Sequence, residues 1–336
     1  MTHGLSESPA LEPLEEDATF VGVLDGIDPP GTLDAQGNDL HGCQTTGVAG
    51  GGIRQRWLVV GAGGMLGRDL VDVLSASGQT VTAATHADLD IRDPDACTGA
   101  VPGHDIVVNA AAWTAVDDAE THEGEAFAVN AVGAANLARA CRRAGTRLIH
   151  ISTDYVFDGL ATTPYAEDAP LAPRSAYGRT KAAGEWAVRA EHPAETVVLR
   201  TAWLYGANGA CFPRTIARLL RERETLRVVD DQVGQPTWTR DVAALAHELV
   251  ARGVPNGVFH ATASGRASWH AFAQAVASST GADPARVRPC ATADHARPAP
   301  RPAFSVLGHA ALAGIGLPAI GDWRDRWAAA AAEVLA

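Results

Sequence analysis

Short apolar runs alternate with longer stretches of helical spacing from about residue 55 onward. The apolar runs that predict strands are 57–60, 80–84, 105–109, 147–152 and 196–200. The stretches that predict helices are 65–75, 123–144 and 176–191. Strands that alternate with helices in this order are typical of an α/β protein with a doubly wound parallel sheet.

The pattern changes past about residue 205, where shorter pieces are interrupted by Pro, Trp and Gly. This part predicts a smaller, discontinuous lobe over 206–336, some segments of which return to the first domain. A closing helix is predicted over 323–335.

Residues 1–52 hold nine acidic residues and no Lys or Arg, and they are rich in Gly, Pro, Ser and Thr. We interpret them as a disordered acidic extension, in which 20–24 is at most a short strand. The net charge of −12 argues against nucleic acid as a partner. No apolar run approaches a membrane span, and five scattered cysteines without a C-x-x-C pair indicate reduced thiols. We therefore expect a cytoplasmic protein that binds neither nucleic acid nor membrane.

A glycine-rich turn joins the first strand to the first helix. Gly61, Gly64 and Gly67 are spaced three residues apart, and Gly63 lies beside them. Glycine at such a turn lets the backbone approach a pyrophosphate, and the helix N-terminus supplies amide donors. The turn predicts a Rossmann-type dinucleotide-binding domain over 53–205.

The end of the second strand bears on the choice between NAD and NADP. An acid at that point binds the ribose 2′-hydroxyl, but the first acid here is Asp88. The sequence therefore favours NADPH and leaves NADH open. Asp90 and Ile91 either edge the adenine or, like Asp88, belong to a solvated loop.

The chain has a single lysine, Lys181, four residues after Tyr177. On a helix this spacing puts both side chains on one face, where the ammonium can lower the pKa of the phenol and assist proton transfer. An arginine could not replace it, because a guanidinium is a planar fork whose charge is fixed.

Together these motifs resemble the extended short-chain dehydrogenase/reductase superfamily and, within it, the dTDP-4-dehydrorhamnose reductase family. The resemblance runs from about Arg56 to the C-terminus. The segments that carry it are 61–67, 109–117, 129–130, 152–159, 177–181, 200–206, 231–237 and 301–307.

The resemblance implies a role for each matching residue. Thr153 would hold a substrate carbonyl oxygen, Tyr177 would protonate it, and Lys181 would bind the nicotinamide ribose. The implied cofactor contacts are Gly61, Gly63, Gly64, Met65, Leu66, Gly67, Asp90, Ile91, Ala110, Ala111, Ala112, Tyr177 and Lys181. The implied contacts with a dTDP-sugar are Thr114, Val116, Asp117, Thr153, Trp203, Arg214, Gln232 and Arg301. We expect Asn130 to bond backbone near the catalytic helix and His150 to be a packed core residue.

Tyr155 separates two activities of the superfamily. The dehydratases carry a second carboxylate there, so tyrosine favours plain reduction of a C4 ketone, with dTDP-4-dehydro-L-rhamnose as the expected substrate. A related 4-ketoreductase or a dihydrostreptose synthase of antibiotic deoxysugar biosynthesis stays open, as does a non-catalytic regulatory subunit of the same fold. Some family members bind Mg²⁺, but no acidic cluster for it can be located in the sequence. A monomer or a homodimer is expected.

Overall fold

A six-stranded parallel sheet organises residues 54–336, the part of the chain that the computed structural model describes. The acidic extension 1–52 and its short strand 20–24 lie outside the described residues. The strands are β1 (Arg56–Val60), β2 (Thr80–Ala84), β3 (Ile106–Asn109), β4 (Arg147–Thr153), β5 (Thr196–Thr201), β6 (Leu204–Tyr205), β7 (Leu226–Val229), β8 (Val233–Gly234), β9 (Thr237–Trp238), β10 (Gly257–His260), β11 (Ala263–Ser264), β12 (Ala267–Ser268), β13 (Val287–Cys290) and β14 (Ile320–Asp322). The α-helices are α1 (Met65–Ala76), α2 (Pro94–Ala100), α3 (Glu123–Phe127), α4 (Ala134–Ala144), α5 (Ala176–Glu191), α6 (Phe212–Glu222), α7 (Thr239–Ala251), α8 (Trp269–Ser279), α9 (Ala310–Gly314) and α10 (Trp323–Leu335).

The sheet has the order β2-β1-β3-β4-β5-β10, and every neighbouring pair is parallel. The order reverses between β1 and β3, where Val60 pairs with Asn109. Ligands of doubly wound sheets bind outside the carboxyl ends of the strands at such a switch point. The predicted α/β fold class is confirmed. Strand β10 was not predicted, because its four residues follow a Pro- and Gly-containing loop.

Helices cover both faces of this sheet. On one face α1 packs against α7 around Leu70 and Leu249, and on the other α2, α4 and α5 bury Leu137 and Val188. Helix α7, strand β10 and helix α9, whose Leu312 lies in the same core, are thus segments of the C-terminal part that return to the first domain.

The helix predicted over 123–144 is divided. α3 and α4 are separated by a π-helical segment, Ala128–Gly133, in which the backbone accommodates an extra residue per turn. Asn130 within this segment is buried and bonds to Trp113 through both the backbone N–H (2.8 Å) and the backbone C=O (3.0 Å). Gly133 ends it next to Ile91, whose Cγ1 would lie 2.5 Å from an added Cβ.

The smaller lobe is built from α6, α8 and α10 and from pairs of short strands, β6–β9, β7–β13, β8–β12 and β11–β14. Its core is aromatic, with Tyr205, Phe212, Phe272, Trp323 and Trp327 buried together. Helix α10 occupies the predicted residues. The buried Asp69 of α1 joins the lobes by accepting hydrogen bonds from Thr239 and, at 3.0 Å, from Asn208.

Candidate active site

The turn after β1 has glycines of two kinds. Gly61 has φ +81°, and a Cβ there would lie 2.6 Å from the amide nitrogen of Ala111. At Gly67 a Cβ would lie 2.1 Å from the carbonyl oxygen of Gly61. Both positions require glycine because other backbone lies so close, that of the segment after β3 at Gly61 and that of the turn itself at Gly67.

Gly63 and Gly64 are different, because both are exposed and a Cβ at either would meet the rest of the protein only at ordinary contact distance. Packing within the protein therefore does not explain them. Gly64 caps α1 without a side-chain bond, and the first turn of α1 has no acid, so backbone N–H groups and the helix dipole are open to an anion. The backbone at Gly63, Gly64 and the start of α1 forms a cradle that fits the pyrophosphate of a dinucleotide.

Met65 and Leu66 follow the cradle with different surroundings. Met65 is half-buried and packs against the core of the smaller lobe. The Leu66 side chain is buried in the core below the sheet, so only its backbone can face a cofactor.

The end of β2 carries charges that the sequence interpretation did not place there. Asp88 folds back on the strand end and accepts hydrogen bonds from the backbone N–H (2.9 Å) and the hydroxyl (2.7 Å) of Thr85. These bonds lower the pKa of Asp88, so a negative charge does lie at this point. A cation that the sequence interpretation missed lies nearby. The exposed Arg68 donates to the carbonyl of Gly63, and a Cβ added at Gly63 would lie 3.7 Å from the Thr85 methyl.

The predicted adenine contacts are engaged within the protein. Arg92 clamps Asp90 with both ends of its guanidinium, at 2.7–3.0 Å, and this bonding lowers the pKa of Asp90 to about 2. The Ile91 side chain is 3% exposed and packs in the core against Gly133. Contact between Ile91 and a cofactor would therefore have to come from its backbone.

The segment after β3 crosses in front of the glycine turn. Ala110, Ala111 and Ala112 are half-buried there, and Ala111 touches Gly61. Further along, Thr114 is half-buried, and Val116 packs against the cluster that contains Tyr177. The structure thus brings predicted cofactor contacts and two predicted substrate contacts, Thr114 and Val116, to the same edge of the sheet.

The predicted catalytic residues come from β4 and α5. Thr153 ends β4, and its hydroxyl donates to Asp154 (2.9 Å). The hydroxyl of Ser175 accepts a hydrogen bond from the N–H of Gly178 (3.0 Å). This N-cap begins α5 just before Tyr177. Lys181, one turn further, is 2% exposed and donates to the carbonyl of Ile151 (2.6 Å). One strand end and one helix face therefore hold the three residues.

Burial governs the titration of this group. It raises the pKa of Tyr177, and the groups that act on the phenol besides burial are Thr153, which lowers the pKa through a hydrogen bond, and Asp154 and Tyr155, which raise it. Lys181 is not among these groups, so the expectation that it lowers the pKa of the phenol stays a prediction. Burial lowers the pKa of Lys181 to about 8. The result is a phenol that stays protonated and a lysine poised near neutral pH.

A phenol occupies the position where a dehydratase would have its second carboxylate. The ring of Tyr155 stands edge-on to that of Tyr177, with centroids 5.6 Å apart, and burial raises its pKa to about 12. The neighbouring Asp154 is buried, and its pKa is raised to about 6. One carboxyl group beside two neutral phenols provides no acid–base pair for removing water.

Two predicted substrate contacts bind each other. Asp117 accepts a hydrogen bond from Arg301 (2.6 Å) and another from the backbone of Ala299 (3.1 Å), while Arg297 lies 3.5 Å away. The pair fastens the 297–302 segment beside the half-buried Tyr155. Arg301 could contact a diphosphate only by sharing or leaving this carboxylate.

Trp203 is strained and stacked. Among residues 54–336 it alone, apart from glycines, has a positive φ, at 47°. Its ring stacks on that of Trp269 at 3.6 Å, and a Cβ on Gly234 would lie 2.4 Å from it. Trp269 was missed because a single tryptophan at a helix start is typical of a core residue. Strain held by such packing is characteristic of ligand sites.

Arg214 and Gln232 lie in the smaller lobe. Arg214 donates to the carbonyl of Ala207 (2.8 Å), and Gln232 donates to the hydroxyl of Thr292 (3.0 Å). Nothing in their contacts joins them to Thr153 or Tyr177, so their contact with a substrate stays a prediction.

The two residues that we expected to be structural are so. Asn130 bonds Trp113 and the Thr180 hydroxyl (2.9 Å). His150 is buried beside Asn109, and burial lowers its pKa well below the usual value.

Across 54–336 no group of three or more His, Cys, Asp or Glu side chains could hold a metal ion, so Mg²⁺ receives no support there. The cysteines of this range are free. None of its helices is both long and apolar enough to cross a membrane.

Comparison with known proteins gives one consistent answer. Residues 55–336 match the family model described as the RmlD substrate binding domain. The chain is 48% identical to a dTDP-4-dehydrorhamnose reductase of Streptomyces griseus over 81% of this chain and 91% of that one. It is 50% identical to a Streptomyces antibioticus protein named a probable dTDP-4,6-dihydroxy-2-methyloxan-3-one 4-ketoreductase, over 84% and 96% of the two chains. The crystal structure of the Bacillus anthracis dTDP-4-dehydrorhamnose reductase in complex with NADP matches with a TM-score of 0.81 and 33% identity, over 84% and 100%.

Proposed function

Because the chain belongs to the RmlD substrate binding domain family, we propose that Tyr177 protonates the C4 oxygen of a dTDP-4-keto-6-deoxyhexose as NADPH reduces the ketone. The chain is an NAD(P)H-dependent oxidoreductase of nucleotide-sugar metabolism. The proposed substrate is dTDP-4-dehydro-L-rhamnose and the product dTDP-L-rhamnose.

One observation carries the proposal: a buried, protonated phenol and a hydroxyl, Tyr177 and Thr153, lie at the switch-point edge of the sheet beside a glycine cradle. A carbonyl oxygen that gains charge needs a hydroxyl to stabilise it and an acid to protonate it. The site offers both, and Tyr155 in place of a second carboxylate supports reduction over dehydration.

Different residues of the chain bind the cofactor, hold the carbonyl oxygen and supply the proton. Bound NADPH would supply the hydride for the carbonyl carbon, while the exposed amides around Gly63 and Gly64 would hold its pyrophosphate. The Thr153 hydroxyl then turns from Asp154 to donate its hydrogen bond to the C4 oxygen, and Tyr177 gives that oxygen a proton. The Lys181 ammonium binds the nicotinamide ribose hydroxyls, and solvent restores the proton of Tyr177.

For the cofactor we propose NADPH, with NADH as a poorer alternative. Arg68 is exposed beside the end of β2 and can pair with a 2′-phosphate, whereas Asp88 at the same strand end opposes it. The NADP complex of the Bacillus anthracis relative supports NADPH. Asp88 explains why the preference should be moderate.

A second substrate is favoured by one observation. The Streptomyces antibioticus relative is as similar to the chain as the rhamnose enzyme is, and its name specifies another 4-ketosugar. Reduction of a different dTDP-4-keto-6-deoxyhexose is therefore the alternative.

The experiment is NADPH oxidation by the purified full chain with dTDP-4-dehydro-L-rhamnose and, separately, dTDP-4-keto-6-deoxy-D-glucose. We expect turnover of the first with the higher kcat/KM. Higher kcat/KM for the second would assign the alternative, and no turnover of either would contradict the proposal.

A further inference from the structure

A buried ion pair lies directly behind the catalytic lysine. On α5, Tyr177, Lys181 and Glu185 follow one another at intervals of four residues and therefore share a face of the helix. Glu185 is 0% exposed, and its partner Arg200, on β5, is 2% exposed. Two fully buried charges are costly to desolvate, so the pair is expected to serve a purpose beyond stability.

The carboxylate of Glu185 is saturated with donors. Arg200 binds it bidentately, with Nε at 2.9 Å from Oε1 and Nη2 at 2.8 Å from Oε2. Ser152 of β4 donates to Oε1 at 2.5 Å. Glu185 therefore ties α5, which carries Tyr177 and Lys181, to β4, which carries Thr153, and to the neighbouring β5.

Arg200 is fixed from its other sides. Its Nη1 donates to the carbonyl of Glu167 (2.9 Å) and lies 3.3 Å from Nε2 of His260. Its guanidinium lies over the ring of Phe157, 5.0 Å from the centroid. The orientation of the Glu185 carboxylate is thus set by a side chain that cannot itself turn.

Lys181 needs a counter-charge because it is buried. Burial favours its neutral form, and the charge of Glu185 opposes that effect. The other titratable groups that face it are Tyr177 and His150, both neutral because burial raises the pKa of the phenol and lowers that of the imidazole. Arg200, beyond Glu185, adds a positive charge that the carboxylate offsets. The Ile151 carbonyl fixes the ammonium but does not neutralise it.

We propose that Glu185, held by Arg200 and Ser152, is a positioning residue for catalysis that sets Lys181 against β4 and keeps its ammonium charged at working pH. The inference rests on the proposed function for its role in the reaction. Its electrostatic part concerns Lys181 alone.

The single lysine makes a direct test possible. Protein labelled with ¹³Cε-lysine gives one lysine signal, whose shift against pH reports the ionisation of Lys181 without substrate or cofactor. We expect a midpoint near 8 in the wild type. In Glu185→Gln the midpoint should fall by about one pH unit or more, because the nearby negative charge is gone.

The matched control is Ser152→Ala, which removes a hydrogen bond from Glu185 and keeps its charge. We expect its midpoint to stay within a few tenths of a unit of the wild type. An unchanged midpoint in Glu185→Gln, or an equal shift in Ser152→Ala, would overturn the proposal.

Glu185→Gln leaves Arg200 unpaired and can unfold the chain. The double variant Glu185→Gln/Arg200→Gln removes the unpaired Arg200 charge as well, and in it the Lys181 midpoint should still lie below that of the wild type. A double variant that does not fold would also overturn the proposal, by showing that the pair holds the whole fold. Because the signal is read without turnover, failure of the proposed activity would leave this result interpretable.

Discussion

The phenol of Tyr177 is buried beside the hydroxyl of Thr153, and Tyr177→Phe removes only its oxygen. We expect this variant to bind NADPH with near-wild-type affinity and to lose turnover by about 10²–10⁴-fold, the usual contribution of a general acid. Stopped-flow fluorescence measures binding and steady-state kinetics measures kcat. Tyr155→Phe is the control, and a kcat near wild type in Tyr177→Phe would show that the proton comes from elsewhere.

Lys181 predicts the pH dependence of cofactor binding. Because its pKa is lowered to about 8, the ammonium is present below that pH and is lost as the pH rises through it. The affinity for NADPH should therefore fall above pH 8, as measured by Kd from pH 6 to 10. A decline that begins only near 10 would indicate a lysine with ordinary titration.

The end of β2 predicts how cofactor preference can be changed. Asp88→Asn removes the carboxylate from Thr85 and should raise the ratio of kcat/KM for NADPH over NADH, whereas Arg68→Gln should lower it. Both effects are expected to be several-fold, since each changes one exposed charge. If neither variant moves the ratio, the 2′-phosphate is bound by other residues.

At this scale the sequence shows residue type and spacing, and these were enough to select Thr153, Tyr177 and Lys181, whose catalytic roles stay a prediction. The sequence does not show which hydrogen-bond or ion-pair partner each side chain has. Asp88 turns back to Thr85, only three residues before it, because the chain reverses there. Asp117 accepts from Arg301, which is close to it only in the folded chain.

The π-helical segment is the element that shapes the site. Its Asn130 bonds the backbone of Trp113, at the start of the loop that carries Thr114 and Val116, and the hydroxyl of Thr180 beside Lys181. Asn130→Ala would leave these buried groups unsatisfied. We expect a loss of about 1–3 kcal/mol in the free energy of unfolding, measured in urea, together with a lower kcat/KM.

The control for that variant is Leu249→Ala on α7, which lowers stability by leaving a cavity far from the loop. Its kcat/KM should stay near wild type at a temperature where it is folded. Equal losses of kcat/KM in both variants would mean that Asn130 acts only through stability.

Helices α5 and α10 were predicted from their apolar spacing, whereas α6, α7 and α8 were not, because their part of the chain was interpreted only as short pieces interrupted by Pro, Trp and Gly. The π segment was not, because one extra residue leaves the apolar pattern of 123–144 almost unchanged. Two-residue strands such as β6 and β9 have no pattern of their own, since each exists only where its partner meets it.

For the whole molecule the family match begins at residue 55, so residues 1–52 lie outside it. We predict that a chain beginning at Ile53 folds, melts at a similar temperature and keeps its NADPH-dependent activity. Calorimetry and steady-state kinetics test this. A large loss of kcat/KM would mean that the acidic extension contributes to the site. Sedimentation of both forms would test the expected monomer or homodimer.

The central claim is transfer of a hydride to C4 of the sugar, and the position of a label tests it most directly. NADPH carrying deuterium on the transferred face of its C4 is given to the purified chain with dTDP-4-dehydro-L-rhamnose, and the sugar product is examined by NMR. We predict one deuterium, at C4 of the hexose, and almost none formed by Tyr177→Phe. Deuterium at another carbon, or product without deuterium, would contradict the account.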